Sequence, residues 1–306
     1  MPSLADLAQL VRAPAALSVP GDVVAGAAAA DALDRRVPGL AGASVLLYWA
    51  GMAANDWADR ELDARERPER PIPSGRVSPG VALGVSAGLT AAGVALAGLT
   101  GGRRALAVAV PLAGAVWAYD LRAKNTAAGP ALMAACRGLD VLLGASQGRT
   151  VRAVPAALTV AAHTYTVTEL SRREVSGASR ALPAATLAGT AVVAAAAAAG
   201  RRAGERCTQD RGTGRRSFVP AALAGWRAVV PAALAGWYGL QYGAAQARVA
   251  ADPQASRVRA AVGAGITGLP ALQGALVARA GAALLGVAVA AAAPLGRRLA
   301  RKVSPT

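Results

Sequence analysis

Residues Gly39–Ser78 read GLAGASVLLYWAGMAANDWADRELDARERPERPIPSGRVS. No charge interrupts this stretch through Ala54, and then six of the chain's 17 acidic residues fall between Asp56 and Glu69. An uncharged run leading into dense charge predicts an apolar helix with an ionisable end. Within that end Asn55, Asp59 and Asp63 are spaced i, i+4, i+8, which on a helix makes one oxygen-bearing stripe with Asp56 beside it. Oxygen donors on one face suit Mg2+, which takes one or two carboxylates and lets substrate phosphates complete its shell. Arg65, Arg67, Arg70 and Arg76 follow and can receive negatively charged oxygens. A solvated acidic helix end would have a similar composition. Here, however, the stripe begins inside an apolar helix, where ionisable groups are costly and tend to mark function.

The whole chain supports the membrane reading. Its 306 residues are 54% hydrophobic, 16% charged and 4% aromatic, with mean hydropathy +0.38. A soluble chain averages about 25% charged residues. The expectation is an all-α, polytopic membrane bundle. The apolar runs are long and alanine-rich, whereas barrel strands are short and alternating. The net charge of +16 would point to nucleic acid in a soluble protein. Here the arginines sit between apolar runs as loop anchors and headgroup contacts, and aromatic residues for base stacking are scarce. No nucleic-acid partner is expected. Two cysteines, Cys136 and Cys207, make no disulfide framework, and the single His163 excludes a multi-histidine metal site.

Apolar runs lie at about 14–32, 39–57, 80–99, 105–119, 127–147, 152–170, 180–200, 217–245, 258–277 and 280–296. Roughly 20 residues cross the hydrocarbon layer, so about nine transmembrane helices are expected, ten if the last two runs both count. The first run holds Asp22 and follows a lone Arg12, so it reads as a membrane helix rather than a cleaved signal. The polar stretches 58–79 and 201–216 are too short for a separate soluble domain, and the expectation is one membrane domain over 1–306. Eighteen Lys and Arg fall on the side of the 58–79 loop and thirteen on the other. That bias places the loop in the cytoplasm, on the inner face of a cell membrane.

Asn55-Asp56-x-x-Asp59-x-x-x-Asp63, followed by Arg67-Pro68-Glu69-Arg70-Pro71-Ile72-Pro73-Ser74-Gly75, resembles the first Asp-rich motif of the UbiA superfamily of membrane prenyltransferases. The resemblance covers nearly the whole chain. It implies a helical bundle with cytoplasmic loops capping a central cavity, and a Mg2+-bound isoprenyl diphosphate held there. Asn55, Asp56, Asp59 and Asp63 would be its metal ligands and Arg70 a diphosphate contact. Tyr119-Asp120-Leu121-Arg122-Ala123-Lys124 resembles the family's Tyr-x-x-x-x-Lys segment. By that resemblance Lys124 and Arg122 contact the diphosphate, and Tyr119 donates to it or flanks the carbocation. An ordinary positive-inside loop is the plainer reading of the same residues.

Thr166–Gly177 takes the place of the family's second Asp-rich motif but carries no aspartate, only Glu169 and Glu174 among Arg172 and Arg173. The glutamates can hold a second Mg2+, or the arginines can neutralise diphosphate directly. The pattern Thr168-x-x-Ser171-Arg172-x-Glu174-Val175-x-Gly177 resembles an actinobacterial-type subgroup of the family. Two other groups are intramembrane. Arg137 and Asp140, three apart, are placed to pair on one helix, and His163 reads as a hydrogen-bonded packing residue. The implied reaction is transfer of an isoprenyl group from an allylic diphosphate to an aromatic or lipophilic acceptor. A terpene cyclase using the same ionisation, or a non-catalytic isoprenoid carrier, would draw on the same residues.

Overall fold

A computed structural model describes residues 2–179, 181–199 and 221–291. Every regular element among them is helical. Helix α1 (Leu4–Leu10) opens on a capping box in which Ser3 and Asp6 satisfy each other's backbone N–H. A 3-10 segment, Ala13–Ser18, runs into α2 (Pro20–Ala29), and together they rise about 27 Å. The first apolar run is therefore two helical forms in series, with Pro20 at the start of the second. Next come α3 (Val37–Ala58), α4 (Arg60–Glu66), α5 (Pro79–Ala118), a π turn (Tyr119–Ala123), α6 (Gly129–Ala145) and α7 (Thr150–Ser171). The bundle continues with α8 (Ala181–Ala198), α9 (Ala221–Ala251) and α10 (Ala255–Arg279). A further helix, α11, is described over 283–291.

Helix α5 is a hairpin. Gly102 sits at φ 62°, ψ −152°, a conformation open to glycine, and reverses the chain. Trp117 Nε1 then donates to Thr90 Oγ1 at 3.1 Å, although 27 residues separate them in sequence. The runs expected at 80–99 and 105–119 are its two arms.

Among the described residues, four helical stretches are long and apolar enough to cross a membrane: Val37–Ala58, the hairpin and π turn Pro79–Ala123, Ala181–Ala198 and Ala255–Arg279. The larger count expected from the sequence is not reproduced by this measure. Polar side chains dilute α7, which carries Arg152, His163 and several threonines, and α6, with Arg137 and Asp140, is only 17 residues long. The expected loop 201–216, with Cys207, lies outside the described residues, as do parts of the runs at 217–245 and 280–296.

Small residues let α2 and α6 touch backbone to backbone. A Cβ on Gly144 would lie 1.9 Å from the Val23 carbonyl, and one on Gly26 1.7 Å from that of Val141. Gln273 of α10 locks on from the other side, donating to Ser18 O at 2.8 Å and Asp22 Oδ1 at 2.6 Å. Gly144→Ala should therefore cost about 1–3 kcal/mol by forcing α2 and α6 apart. Gly84→Ala, where the new Cβ meets open space, should cost nothing. Thermal unfolding of the two variants in micelles checks this, and equal melting temperatures would refute the packing argument.

Candidate active site

The acidic end of α3 is interrupted but keeps its register. Helix α3 stops at Ala58, Asp59 takes φ −90°, ψ 2°, and α4 begins at Arg60. The i to i+4 bonds continue across the break: Asp59 N–H donates to Asn55 O at 2.9 Å and Asp63 N–H to Asp59 O at 2.8 Å. Asp56, Asp59 and Asp63 each meet a cation from beyond α3 and α4. Asp59 Oδ1 lies 2.6 Å from Lys124 Nζ. Asp63 Oδ2 lies 2.6 Å from Arg70 Nη1, with Arg67 at 4.0 Å from its other oxygen. Asp56 Oδ1 is shared by Arg12 at 2.9 Å and Arg70 at 3.3 Å. Asn55 Nδ2 donates to Asp120 Oδ1 at 3.2 Å. Arg70 thus bridges Asp56 and Asp63, whose side chains are only 5% and 3% exposed.

The loop after α4 holds Arg70 in place. Pro71 and Pro73 fix their own φ, Gly75 takes φ 76°, and Val77 N–H closes on Pro71 O at 2.9 Å. Ile72 and Val77 are buried with Leu10, Val11 and Ala53. Arg76 reaches back to α1, donating to Asp6 at 2.7 Å and Gln9 at 2.8 Å. Hydrogen bonds from Ser3, reinforced by Arg76, hold the Asp6 carboxyl below the usual carboxylate range. The N-terminal segment is thereby strapped over the acidic cluster, and Arg12 joins it from a left-handed turn at φ 47°. Sequence reasoning missed Arg12 and gave Asp120 no role. The signal for Asp120 was its place beside Tyr119; Arg12 had none, being one arginine 44 residues from its partner.

An apolar cavity of about 240 Å³ lies beneath this cluster, between α3, α5 and α6. Leu47, Met52, Leu112, Val116 and Met133 supply its walls. Tyr119 and Asp120 line the end towards Asn55, while Ser44, Arg137 and Asp140 line the far end, about 16 Å along α3.

That far end corrects one expectation. Arg137 does not pair with Asp140, one turn away on its own helix. It reaches Asp22 Oδ2 of α2 at 2.8 Å, while Asp140 Oδ1 accepts from Ser44 Oγ at 2.5 Å. Asp22 is fully buried, and the cross-helix bond is its only source of a full positive charge among the described ion pairs. His163 is buried, with Nδ1 2.9 Å from the Tyr238 hydroxyl and its ring edge-on to Tyr238 and Tyr242. This is the packing role expected for it.

The Thr166–Gly177 segment is joined to the site less closely. Arg172 donates to the Thr126 carbonyl, beside the Lys124 turn. Arg122 and Arg173 are exposed. Glu169 sits one turn after Tyr165 on α7. Burial pushes the Glu174 carboxyl above its usual range, against the opposing charges of Arg259 and Arg67. The structure therefore brings Asn55, Asp56, Asp59, Asp63, Arg70, Lys124 and Tyr119 to one region, and brings Glu174 only within range of Arg67. Among the described residues no three acids or histidines converge into a ready-made metal cage. The donor set is nonetheless hard oxygen throughout, and Mg2+ usually takes only one or two carboxylates beside a substrate's phosphates.

Helices apolar enough to cross a membrane, with paired acids above an apolar cavity, define a class: a helical membrane protein with a charged site over a hydrocarbon-lined pocket. The UbiA prenyltransferase family model matches residues 18–300, and the chain belongs to that family. A digeranylgeranylglyceryl phosphate synthase of Methanothrix thermoacetophila is 54% identical over 57 residues, 19% of this chain and 21% of that protein. The bacteriochlorophyll synthase 33 kDa chain of Cereibacter sphaeroides is 36% identical over 115 residues, 35% of this chain and 37% of that one. The chain spans less than two thirds of the length of the curated relatives it matches. A solved structure described as a digeranylgeranylglyceryl phosphate synthase in membranes superposes with TM-score 0.62 at 16% identity, covering 90% of this chain and 97% of that one. It shows the shared fold.

The corrected pairing makes a prediction. Arg137→Met strands the buried Asp22 charge and should cost about 3–5 kcal/mol. Asp22→Asn in the same chain should recover most of that loss, and Asp140→Asn should not. Denaturant unfolding in micelles gives the double-mutant cycles; coupling to Asp140 instead of Asp22 would reject the arrangement.

Proposed function

We propose that the protein transfers an isoprenyl group from an allylic isoprenyl diphosphate to a lipophilic acceptor within the membrane, with Mg2+ as cofactor. The observation that supports this most is the acidic cluster with Arg70 and Lys124 directly above an apolar cavity. Such a site separates the two halves of the substrate, its diphosphate among the charges and its hydrocarbon tail below.

In this reading Asn55, Asp59 and Asp63 hold the metal, supported by Asp56, and Glu169 or Glu174 would serve any second ion. Bound there, Mg2+ would supply neutralisation of the departing diphosphate. Lys124 and Arg70, now occupied by Asp59 and Asp63, turn to the diphosphate oxygens and stabilise the charge that grows as the allylic C–O bond breaks. Arg122, Arg172 and Arg173 stand at the rim and add to the field that draws the anion in. Tyr119, at the junction of charge and cavity, flanks the allylic cation. The apolar walls keep water from it until the acceptor attacks, and the acceptor's proton then leaves to solvent or a base. The charged end faces the cytoplasm, where soluble diphosphates are available. The relatives' names include both a glyceryl phosphate and a bacteriochlorophyll synthase, so the acceptor's shape is a matter for the cavity of this chain.

Asp59→Ala/Asp63→Ala should lower turnover at least about a thousandfold, with helix content retained by circular dichroism. The assay is pyrophosphate release in lipid from geranyl, farnesyl or geranylgeranyl diphosphate, with Mg2+ or EDTA, and with or without a membrane lipid extract. Release that requires both Mg2+ and the extract supports the transferase. Release without acceptor, with a cyclic hydrocarbon as product, favours a cyclase, and binding without release favours a carrier or an acceptor missing from the extract.

A further inference from the structure

Helices α9 and α10 form an antiparallel pair joined by the short connection 252–254. On its outer surface the pair carries a groove of about 490 Å³ that the proposed reaction does not use. Its floor and sides are mostly small residues, Ala244 and Ala245 on one helix and Ala260 and Ala264 on the other. The spacing explains why a trough forms. Residues 240, 244 and 248 lie on one stripe of α9 and residues 257, 260, 264 and 267 on one stripe of α10. With alanines facing alanines, the two stripes leave a channel where larger side chains would have filled it. The channel runs about 12–15 Å at the helical rise.

The two ends differ in chemistry. Arg248 and Arg257 both line the end beside the connection. Both are exposed. Arg248 has no carboxylate partner among the described residues, and Arg257 has only Asp252, at 3.7 Å. That end belongs to the same face of the bundle as the acidic cluster. Ala178 N–H donates to Pro253 O at 3.0 Å, and Arg259 Nη1 to Glu174 O at 3.3 Å. The far end carries Leu240, 75% exposed, and Thr267, whose hydroxyl is already satisfied by Gly263 O at 2.8 Å. Gln241, next to Leu240, adds one amide to that end. The lining therefore suits an occupant that is anionic at one end and mostly hydrocarbon along the rest.

We infer that this groove binds an anionic phospholipid, its phosphate on Arg248 and Arg257 and one acyl chain laid along the alanine channel between α9 and α10. Positive side chains at a membrane surface attract anionic lipid generally. The channel adds a fixed path for the chain, which a bare loop arginine lacks. The inference rests on the protein lying in a bilayer and not on its chemistry of transfer.

The test is native mass spectrometry of the full chain in detergent, titrated with phosphatidylglycerol or phosphatidylcholine of the same acyl composition. Wild type should bind phosphatidylglycerol more tightly. Arg248→Gln/Arg257→Gln should erase that preference, a loss of about fivefold in affinity per arginine. Ala264→Phe, which fills the channel and leaves the cations, should weaken both lipids alike. Circular dichroism and pyrophosphate release accompany each variant, so that misfolding and failure of the transferase reading register separately. Equal binding of the two lipids by wild type, an unchanged preference in the arginine variant, or occupation of the groove by a second copy of the chain seen as a dimer would each overturn the inference.

Discussion

Three cations from three separate segments neutralise Asp56, Asp59 and Asp63 at the junction of α3 and α4, and the architecture at that face follows from this constraint. Asp56 and Asp63 are almost fully buried. A buried carboxylate without a partner costs several kcal/mol, and removing one member of such a pair leaves that cost exposed. The chain must therefore deliver Arg12, Arg70 and Lys124 to points a few ångströms apart. Arg70 arrives through a loop stiffened by two prolines and turned at Gly75. Lys124 arrives through the π turn that ends the hairpin. Arg12 arrives with α1, which Arg76 straps down. The short α4, the unusual turn after α5 and the tied N-terminal segment are the routes by which charge reaches charge.

The second polar network, deep in the bundle, obeys the same constraint with different consequences. Asp22, Arg137 and Gln273 join α2, α6 and α10 where the helices approach most closely. The glycine contacts between α2 and α6 bring the backbones together, and the charges then have little freedom over which partner they meet. In the apolar interior each ion needs a partner, so these residues fix helix register as hydrophobic packing alone would not. The apolar cavity lies between the two networks, closed by polar groups at both ends and lined by hydrocarbon between them.

Much of this was legible from the residues. The alternation of apolar runs with arginine-bearing connections gave the helical membrane architecture, and the oxygen stripe with RPIPSGR gave the location of the charged site. The parts that were not legible share a physical cause. Pairing in a bundle is decided by which helices touch, and sequence spacing reports only neighbours along one helix. Arg137 and Asp140 satisfied the local spacing rule, yet a fully buried aspartate on another helix made the stronger claim on the guanidinium. Arg12 was invisible for the same reason. The hairpin within α5 was half legible: Gly101-Gly102-Arg103-Arg104 marks a polar break, but only the left-handed torsion at Gly102 turns that break into a reversal.

The paired state of the acids bears on how the proposed reaction would begin. In this arrangement the carboxylates that would hold a metal, and the cations that would hold a diphosphate, satisfy each other. A metal alone must displace Lys124 or Arg70 from a carboxylate and leave that cation without a partner in a poorly solvated place. A diphosphate alone must draw those cations away and leave Asp59 and Asp63 unpaired. Arriving together, the two exchange partners with the resident pairs and no charge is stranded. The same electrostatics that stabilise the folded site therefore favour joint entry of metal and diphosphate over either by itself. They also keep the cluster near neutrality before the substrate comes, so that the full field of the cations is released only when the charge they are to stabilise is present.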